Sequence, residues 1–236
     1  MEILRQEALK FNINLTDKML ENFKIYTDML LEYNSFMNLT AITDPYEIKI
    51  KHYLDSITLL CEDKLKEGDK VIDIGAGAGF PSLPNAIVRE DVHFTMLDSL
   101  GKRVNFLNDV VKKLNLPNAE GVHLRAEDGG RDKNYREKFD VAVARAVADL
   151  AVLSEYALPF VKVGGYFLAL KGTAPEEEIN NAKKAIKTLG GKIEKVSEVS
   201  IEPLNLNHTI VVIKKIAETP SVYPRKAGTP SKKPLK

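Results

Sequence analysis

The chain has 236 residues, of which 44% are hydrophobic and 28% are charged, and its formal net charge is +1. This composition is average for globular proteins and excludes a disordered or fibrous chain, and the length suits one sizeable core with an appended subdomain. The single cysteine excludes an intramolecular disulfide and a cysteine-rich zinc cluster, and no apolar run approaches the roughly 18–20 residues of a membrane span. We therefore expect a cytoplasmic protein without membrane segments or bound metal.

Residues 1–65 have helical periodicity and no strand pattern. Apolar side chains recur at three- and four-residue steps behind Thr16, a suitable helix cap, at Leu15, Met19, Leu20, Phe23, Tyr26 and Leu30. Asp44 and Pro45 are a typical cap and first helical residue, and they predict another helix that leads toward Leu60. These features predict a helical N-terminal extension, in which Cys61 is a buried packing residue.

From Lys70 the pattern changes to short apolar runs that alternate with helical stretches. This alternation predicts a domain of class α/β over residues 66–217, with a Rossmann-like sheet. The expected strands lie near 70–74, 93–97, 120–124, 139–143, 163–170, 192–199 and 208–215, and the helices near 81–89, 101–115, 149–160 and 175–189. The last two strands should form an antiparallel edge, which gives seven strands with one reversed.

Residues 218–236 form a basic, proline-rich C-terminal segment with no helical or strand period. From Ile213 to Lys236, seven Lys or Arg residues face only Glu218, so this part carries +6 and the rest of the chain −5. The segment should be extended and ordered only where something holds it. Its charge fits either a polyanion partner or a solvated terminus.

A glycine turn follows the first predicted strand, with Gly75, Gly77 and Gly79 behind Asp73. A strand that runs through a glycine turn into a helix is typical of a nucleotide-binding site. In a dinucleotide oxidoreductase the third glycine would come three residues after the second, and a pyrophosphate would be repelled by Asp73. The spacing therefore favours S-adenosylmethionine, whose sulfonium is positively charged, over a dinucleotide; a turn that only packs strand on helix is the alternative.

Polar residues end the next three strands. Asp98, followed by Ser99, ends the second strand, where a carboxylate can accept hydrogen bonds from ribose hydroxyls. Ala126 and Glu127 follow the third strand, where a backbone amide and a carboxylate could contact adenine, although Glu127 is equally a helix-start acid. Arg145 ends the fourth strand, and a buried arginine there needs an anionic or carbonyl partner. A salt bridge to Asp149 is the alternative role for Arg145.

The end of the fourth strand lacks the motifs of two classes of methyl acceptor. It has no Asn/Asp-Pro-Pro-Tyr/Phe run for an exocyclic amine and no Pro-Cys nucleophile for a pyrimidine carbon. The N7 atom of guanine remains a possible acceptor, since it carries an exposed lone pair and loses no proton on methylation. Alignment of acceptor and donor could then supply most of the catalysis without a general base or any other catalytic residue.

The chain resembles a known family, the bacterial 16S ribosomal RNA guanine-N7 methyltransferases, also called glucose-inhibited division protein B. The resemblance covers nearly the whole chain, and its markers are Asn38-Leu39-Thr40-Ala41-Ile42, His52 with Asp55-Ser56, Asp73 to Pro81, Asp98 to Arg103, Arg125-Ala126-Glu127, Ala144-Arg145-Ala146 and Ala169-Leu170-Lys171-Gly172. It implies that the seven-stranded sheet is that of a methyltransferase. It also implies cofactor contacts from Gly75, Phe80, Ala126, Glu127 and Arg145, a ribose contact from Asp98, and a guanine in a hairpin loop of 16S ribosomal RNA as the substrate.

Several cations are candidates for contact with the RNA or the small ribosomal subunit. Lys102 and Arg103 open a helix beside the site, Lys171 ends the fifth strand, and Arg225 and Lys226 lie in the C-terminal segment, together with Arg145 at the reaction centre. Ordinary solvated roles are the alternative for Lys102 and Arg103, and His52 fits a core position as well as a substrate contact. The competing functions are a non-catalytic RNA-binding protein on the same scaffold and an oxidoreductase. We expect the protein to be a monomer.

Overall fold

The computed structural model describes residues 1–145, 148–173 and 175–235. Its centre is a seven-stranded sheet in the order β3-β2-β1-β4-β5-β7-β6. The strands are β1 Lys70–Ile74, β2 His93–Asp98, β3 Ala119–His123, β4 Phe139–Arg145, β5 Val161–Lys171, β6 Gly191–Ile201 and β7 Leu206–Lys215. Only β7 runs antiparallel to both of its neighbours, so the predicted seven strands with one reversed are confirmed.

Helices cover both faces of the sheet. They are α1 Glu2–Lys10, α2 Asp17–Met37, α3 Pro45–Glu47, α4 Asp55–Ile57, α5 Ser82–Val88, α6 Gly101–Leu114, α7 Ala126–Gly129, α8 Leu150–Ala157, α9 Glu176–Thr188 and α10 Thr229–Lys232. Val71 and Val143 point to a core shared with the N-terminal helices, whereas Ile72 and Ala142 point to a second core with α8 and α9. This alternation is the period of two that a strand imposes on its side chains. None of the helices in the described residues is long and apolar enough to cross a bilayer.

The N-terminal extension begins its helices at the predicted caps. The Thr16 hydroxyl accepts a hydrogen bond from the Met19 amide, and the Asp44 carboxylate accepts bonds from the amides of Tyr46 and Glu47. Pro45 occupies the first turn of α3, where a missing amide proton costs nothing. Between α3 and α4 the chain forms a π-helix over Ile48–Leu54, which periodicity did not predict.

Two local predictions were wrong. Cys61 is exposed, because the helix tightens to three residues per turn over Thr58–Glu62 and this changes which side chains face the core. The helix predicted at 149–160 ends at Ala157, and Leu158–Phe160 forms a separate 3₁₀ turn. Pro159, which cannot donate a backbone hydrogen bond, lies in that turn.

Candidate cofactor and substrate site

The glycine turn after β1 has a backbone conformation that few other residues adopt. Gly75, Gly77 and Gly79 have φ angles of +74°, +60° and +100°. A side chain at Gly79 would also place its Cβ 2.8 Å from the Tyr26 hydroxyl. The backbone amides of Gly75 and Ala76 donate hydrogen bonds to the carbonyl of Leu97, which fixes the turn beside the end of β2. Glycine is therefore required here both for conformation and for close packing.

Asp98 joins the glycine turn to the loop that opens α6. Its Oδ2 accepts a hydrogen bond from the Gly77 amide at 3.0 Å, and its Oδ1 accepts one from the Leu100 amide at 2.8 Å. Arg103 Nη1 lies 3.6 Å from the same carboxylate. Each carboxylate oxygen can accept a second bond, so the group keeps acceptor capacity for a ligand. The partners fix the carboxylate in position before any ligand binds.

A cavity of about 320 Å³ lies beside Asp98, at the carboxyl ends of the strands. Its lining residues come from the ends of β1 and β2, the loop after β3, the start of α7, α8 and the C-terminal segment: Ile74, Gly75, Leu97, Asp98, Ser99, Leu124, Arg125, Ala126, Glu127, Tyr156 and Gly228. Its volume is at the lower end of the range for small-molecule sites, about 300–1,000 Å³. One side of the cavity has the Asp98 carboxylate, which backbone amides hold in place, and the other side has apolar side chains. This combination fits a nucleoside with a free ribose. The cavity thus brings together Gly75, Asp98, Ser99, Ala126 and Glu127 of the predicted cofactor residues.

Asp73 lies beneath the glycine turn and does not line the cavity. Its side chain is fully buried, its Oδ2 accepts a hydrogen bond from the Ser82 amide at 3.3 Å, and its Oδ1 has no partner among the described residues. Burial raises the pKa of this carboxyl group to about 7, although Ser82 and Arg145 act in the opposite direction. As placed, Asp73 supports the start of α5; its predicted contact with the cofactor stays a prediction.

Phe80, His52 and Arg145 form a second group at the same edge of the sheet. The His52 ring stacks on Phe80 at 4.3 Å between centroids, and the Arg145 guanidinium lies 4.8 Å from the centroid of Phe80. Arg145 Nη2 donates to His52 Nδ1 at 3.3 Å, and His52 Nε2 lies 2.8 Å from the Thr40 hydroxyl. Burial, together with the nearby guanidinium, lowers the pKa of His52 to about 4, so the ring is neutral and can accept the bond from arginine.

The charge partner of Arg145 is Asp55 and not Asp149. Arg145 Nη1 donates to Asp55 Oδ2 at 2.9 Å, whereas Asp149 caps α8 by accepting a bond from the Ala151 amide. Asp55 Oδ1 also lies 2.9 Å from His208 Nδ1, within ion-pair distance but not aligned for a hydrogen bond. Burial raises the pKa of Asp55, but His208 and Arg145 outweigh it and leave that pKa below its usual value.

His208 was not identified from the sequence as a site residue. His208 lies on β7, and its Nε2 is 3.2 Å from the Thr58 hydroxyl. It is 153 positions from Asp55 along the chain, and no spacing rule connects the two. The reversed strand was predicted, but which of its side chains faces the helical extension depends on the register of β7 with β5.

The predicted RNA-contacting cations differ in how far they are already paired. Lys102 and Lys226 are exposed. Lys171 Nζ lies 2.6 Å from Glu178 and donates to the Ala148 carbonyl at 2.8 Å. Arg225 pairs with Glu155 at 2.6 Å. Contact of Lys171 or Arg225 with RNA would therefore compete with ion pairs inside the protein, and these roles stay predictions. Ala146, in the Ala144-Arg145-Ala146 marker, and Lys236 lie outside the described residues.

Solved structures with low sequence identity share the fold. An S-adenosylmethionine-dependent methyltransferase from Methanosarcina mazei has a TM-score of 0.51 at 14% identity, covering 67% of this chain and 98% of that one. A precorrin-6y C5,15-methyltransferase from Geobacter metallireducens has a TM-score of 0.50 at 16% identity, covering 68% and 87%. The Rossmann-like methyltransferase sheet predicted from the sequence is thereby confirmed.

Relatives at about half identity extend over the full chain. The Ribosomal RNA small subunit methyltransferase G of Clostridium botulinum strain Alaska E43 is 52% identical over 235 residues, which are 100% of this chain and 98% of the relative. The protein of the same name in Lactobacillus helveticus strain DPC 4571 is 50% identical and covers 97% and 96%. The family model GidB, described as rRNA small subunit methyltransferase G, matches residues 19–209. The chain therefore belongs to the GidB family and is an S-adenosylmethionine-dependent methyltransferase.

Proposed function

We propose that the protein transfers the methyl group of S-adenosylmethionine to N7 of a guanine in a hairpin loop of 16S ribosomal RNA. The observation that carries this proposal is that the glycine turn and Arg145 come from neighbouring strands. Asp73 pairs with Val143 in the sheet, so the glycine turn after β1 and Arg145 at the end of β4 lie side by side. This is also where the strand order reverses, the usual ligand position in such sheets.

The cavity beside Asp98 would hold the adenosine. Asp98 would accept bonds from the ribose hydroxyls, while Ser99, Ala126 and Glu127 would surround the nucleoside. The glycine turn, with Asp73 behind it, would bring its backbone and Phe80 to the methionine part. When bound, S-adenosylmethionine supplies an electrophilic methyl group on a sulfonium sulfur.

The protein's part in the reaction is to align the acceptor. Guanine N7 loses no proton, so no side chain has to act as a base. Arg145 is held by Asp55 and His52 against the Phe80 ring, where its remaining donor capacity could meet an acceptor atom of the base or a phosphate. Alignment of this kind can contribute about 7–11 kcal/mol to catalysis.

The RNA would approach the same edge of the sheet. Lys102 and Arg103 at the start of α6, Lys171 and Lys226 would contact its phosphates, whereas Arg225 would do so only by leaving Glu155. We further propose that the protein acts in the cytoplasm as a monomer and without a metal ion. Within the described ranges no group of three His, Cys, Asp or Glu side chains is arranged for a metal. Activity that survives chelation and a single monomeric peak on size exclusion would support this.

The test is transfer of labelled methyl to small subunits, and to naked 16S RNA, from a strain that lacks the modification. We expect label in one guanine, and its release as 7-methylguanine on depurination. Label at another atom or base would contradict the N7 proposal, and no label in either substrate would contradict the RNA substrate. Binding of the RNA without any transfer would favour the scaffold alternative.

A further inference from the structure

The C-terminal segment, residues 218–235, reaches the cavity beside Asp98. Gly228 is one of the residues that line this cavity, and its φ angle is +77°. The Gly228 amide donates a hydrogen bond to Glu127 Oε1 at 2.9 Å. Glu127, expected from the sequence to contact the adenine, therefore already holds the C-terminal segment. Pro230, two residues later, is buried.

A buried ion pair fixes the segment three residues before Gly228. Arg225 Nε and Nη2 donate to the Glu155 carboxylate at 2.9 Å and 2.6 Å, and the Arg225 amide donates to Glu155 Oε1 at 2.7 Å. Glu155 lies on α8 and has no solvent exposure. A carboxylate without a partner is costly to bury, so Glu155 requires the docked segment. The next residue of α8, Tyr156, lines the cavity.

A second set of contacts holds the beginning of the segment. Arg136 donates to the carbonyls of Thr219 and Tyr223, and Glu137 accepts a hydrogen bond from the Thr219 amide. Pro224 packs against Gly130, where an added Cβ would lie 3.0 Å from its ring. Arg136 and Glu137, which precede β4, thus hold the beginning of the segment, and Arg225 pairs with a carboxylate inside the protein.

We propose that the stretch from Arg225 to Pro230 is part of the cofactor site and forms its wall on the Glu127 side. The Arg225–Glu155 pair holds this wall in place, and the Gly228 amide orients Glu127 toward the adenine. Cofactor binding and docking of the segment then stabilise each other, because each favours the same arrangement of Glu127. This inference rests on the proposed position of adenosine in the cavity beside Asp98.

The first experiment measures the affinity for S-adenosylhomocysteine by calorimetry without RNA. We expect Arg225→Gln to bind at least tenfold more weakly than the unmodified protein. The double variant Glu155→Gln/Arg225→Gln, which leaves no lone buried carboxylate, should be weakened similarly and serves if the single variant does not fold. Lys232→Gln removes the same charge from an exposed position of the same segment and should bind as the unmodified protein does.

The second experiment uses the unmodified full chain. Glu155 holds the Arg225 side chain, so trypsin should cleave after Arg225 only when the segment detaches. Saturating S-adenosylhomocysteine should therefore slow cleavage at the Arg225–Lys226 bond at least tenfold, while adenosine triphosphate should not. Unchanged cleavage after Arg225, or folded variants that bind within twofold of the unmodified protein, would overturn the inference. Asp98→Ala distinguishes the position of the cofactor from the role of the C-terminal segment. If Asp98→Ala and the Arg225 variants all bind S-adenosylhomocysteine normally, the proposed position of the cofactor is wrong. If only Asp98→Ala binds more weakly, the position stands and the role of the segment is refuted.

Discussion

The guanidinium of Arg145 and the carboxylate of Asp55 meet at 2.9 Å, and they join the end of β4 to the helical extension. Arg145 is 18% exposed and Asp55 10% exposed at the side chain, so the pair is largely removed from water. The N-terminal extension therefore takes part in the site through a charge that holds the strand-end arginine in place.

We expect Asp55→Asn to destabilise the fold, because it leaves the guanidinium without its counter-charge. Breaking a buried pair in this way costs about 3–5 kcal/mol, an upper figure for a pair with some exposure. Urea unfolding followed by circular dichroism measures the loss. Glu47→Gln, which breaks the Glu47–Lys51 pair, whose side chains are about a third exposed, is the control and should cost about 0–1 kcal/mol. Equal losses of unfolding free energy in the two variants would contradict a larger contribution from the buried Arg145–Asp55 pair.

The His52 ring predicts a pH dependence of stability. Its pKa falls from 6.5 to about 4 on folding, because of burial and the adjacent Arg145, so the unfolded chain binds more protons between these values. The free energy of unfolding should therefore fall as the pH is lowered from 6.5 to about 4, by about 3 kcal/mol in this interval. Unfolding at a series of pH values should show a flatter profile for His52→Gln. A slope that is the same in this variant would assign the effect to other groups.

Asp73 should act with the opposite sign. Burial raises its pKa from 3.8 to about 7, so the folded state binds more protons between these values and its contribution to stability is lost as the pH rises. Asp73→Asn removes this loss, and we expect the variant to gain stability relative to the unmodified protein as the pH increases from 5 to 8. A difference between the two proteins that does not change with pH would contradict the raised pKa.

Asp98 is the residue on which cofactor affinity should depend most. Asp98→Ala removes the acceptor for the ribose hydroxyls, and charge-assisted bonds contribute about 1.5–3 kcal/mol each, or roughly a tenfold to hundredfold loss of affinity for one bond. Calorimetry with S-adenosylhomocysteine measures it. Asp109→Ala removes an exposed carboxylate of α6 that bonds the Tyr33 hydroxyl and should leave the affinity unchanged. If Asp98→Ala binds with normal affinity, Asp98 does not contact the ribose.

The exposed cations should reveal themselves in the salt dependence of RNA binding. Lys102→Gln and Lys226→Gln should each lower the slope of log affinity against log salt by about 0.7–0.9 if each lysine neutralises one phosphate. Filter binding of 16S RNA over a salt series measures the slope. Lys183→Gln, on the exposed face of α9, is the control. Slopes equal to that of the unmodified protein would place the RNA away from these residues.

The strands were predictable because buried β-strands are short apolar runs with glycine or polar ends. The predicted bounds of β1 and α9 differ from the observed ones by at most one residue. The positive φ angles at Gly75, Gly77 and Gly79 fit the turn that the glycine spacing predicts. In these places the local sequence and the fold agree, so neighbouring residues carry enough information.

The pairing of charged side chains could not be predicted in the same way. Arg145 finds Asp55 ninety positions earlier and Arg225 finds Glu155 seventy positions earlier, and several acids compete for each arginine in the sequence. The predicted burial of Cys61 was wrong for a related reason, because a change from α to 3₁₀ geometry places this side chain at the surface. Side-chain partners depend on how the elements dock, which composition and spacing do not specify.

The cavity beside Asp98 is assembled from parts of the chain that are made at very different times. The lining residues at the ends of β1 and β2 are in place once residues 70–98 have paired, but Gly228 follows 130 positions later. Since a chain leaves the ribosome from its amino end, the strands can fold while Glu155 still lacks Arg225. A nascent chain at that stage has a site open on the Glu127 side, so the enzyme should acquire full affinity for its cofactor only as one of the last events of its synthesis.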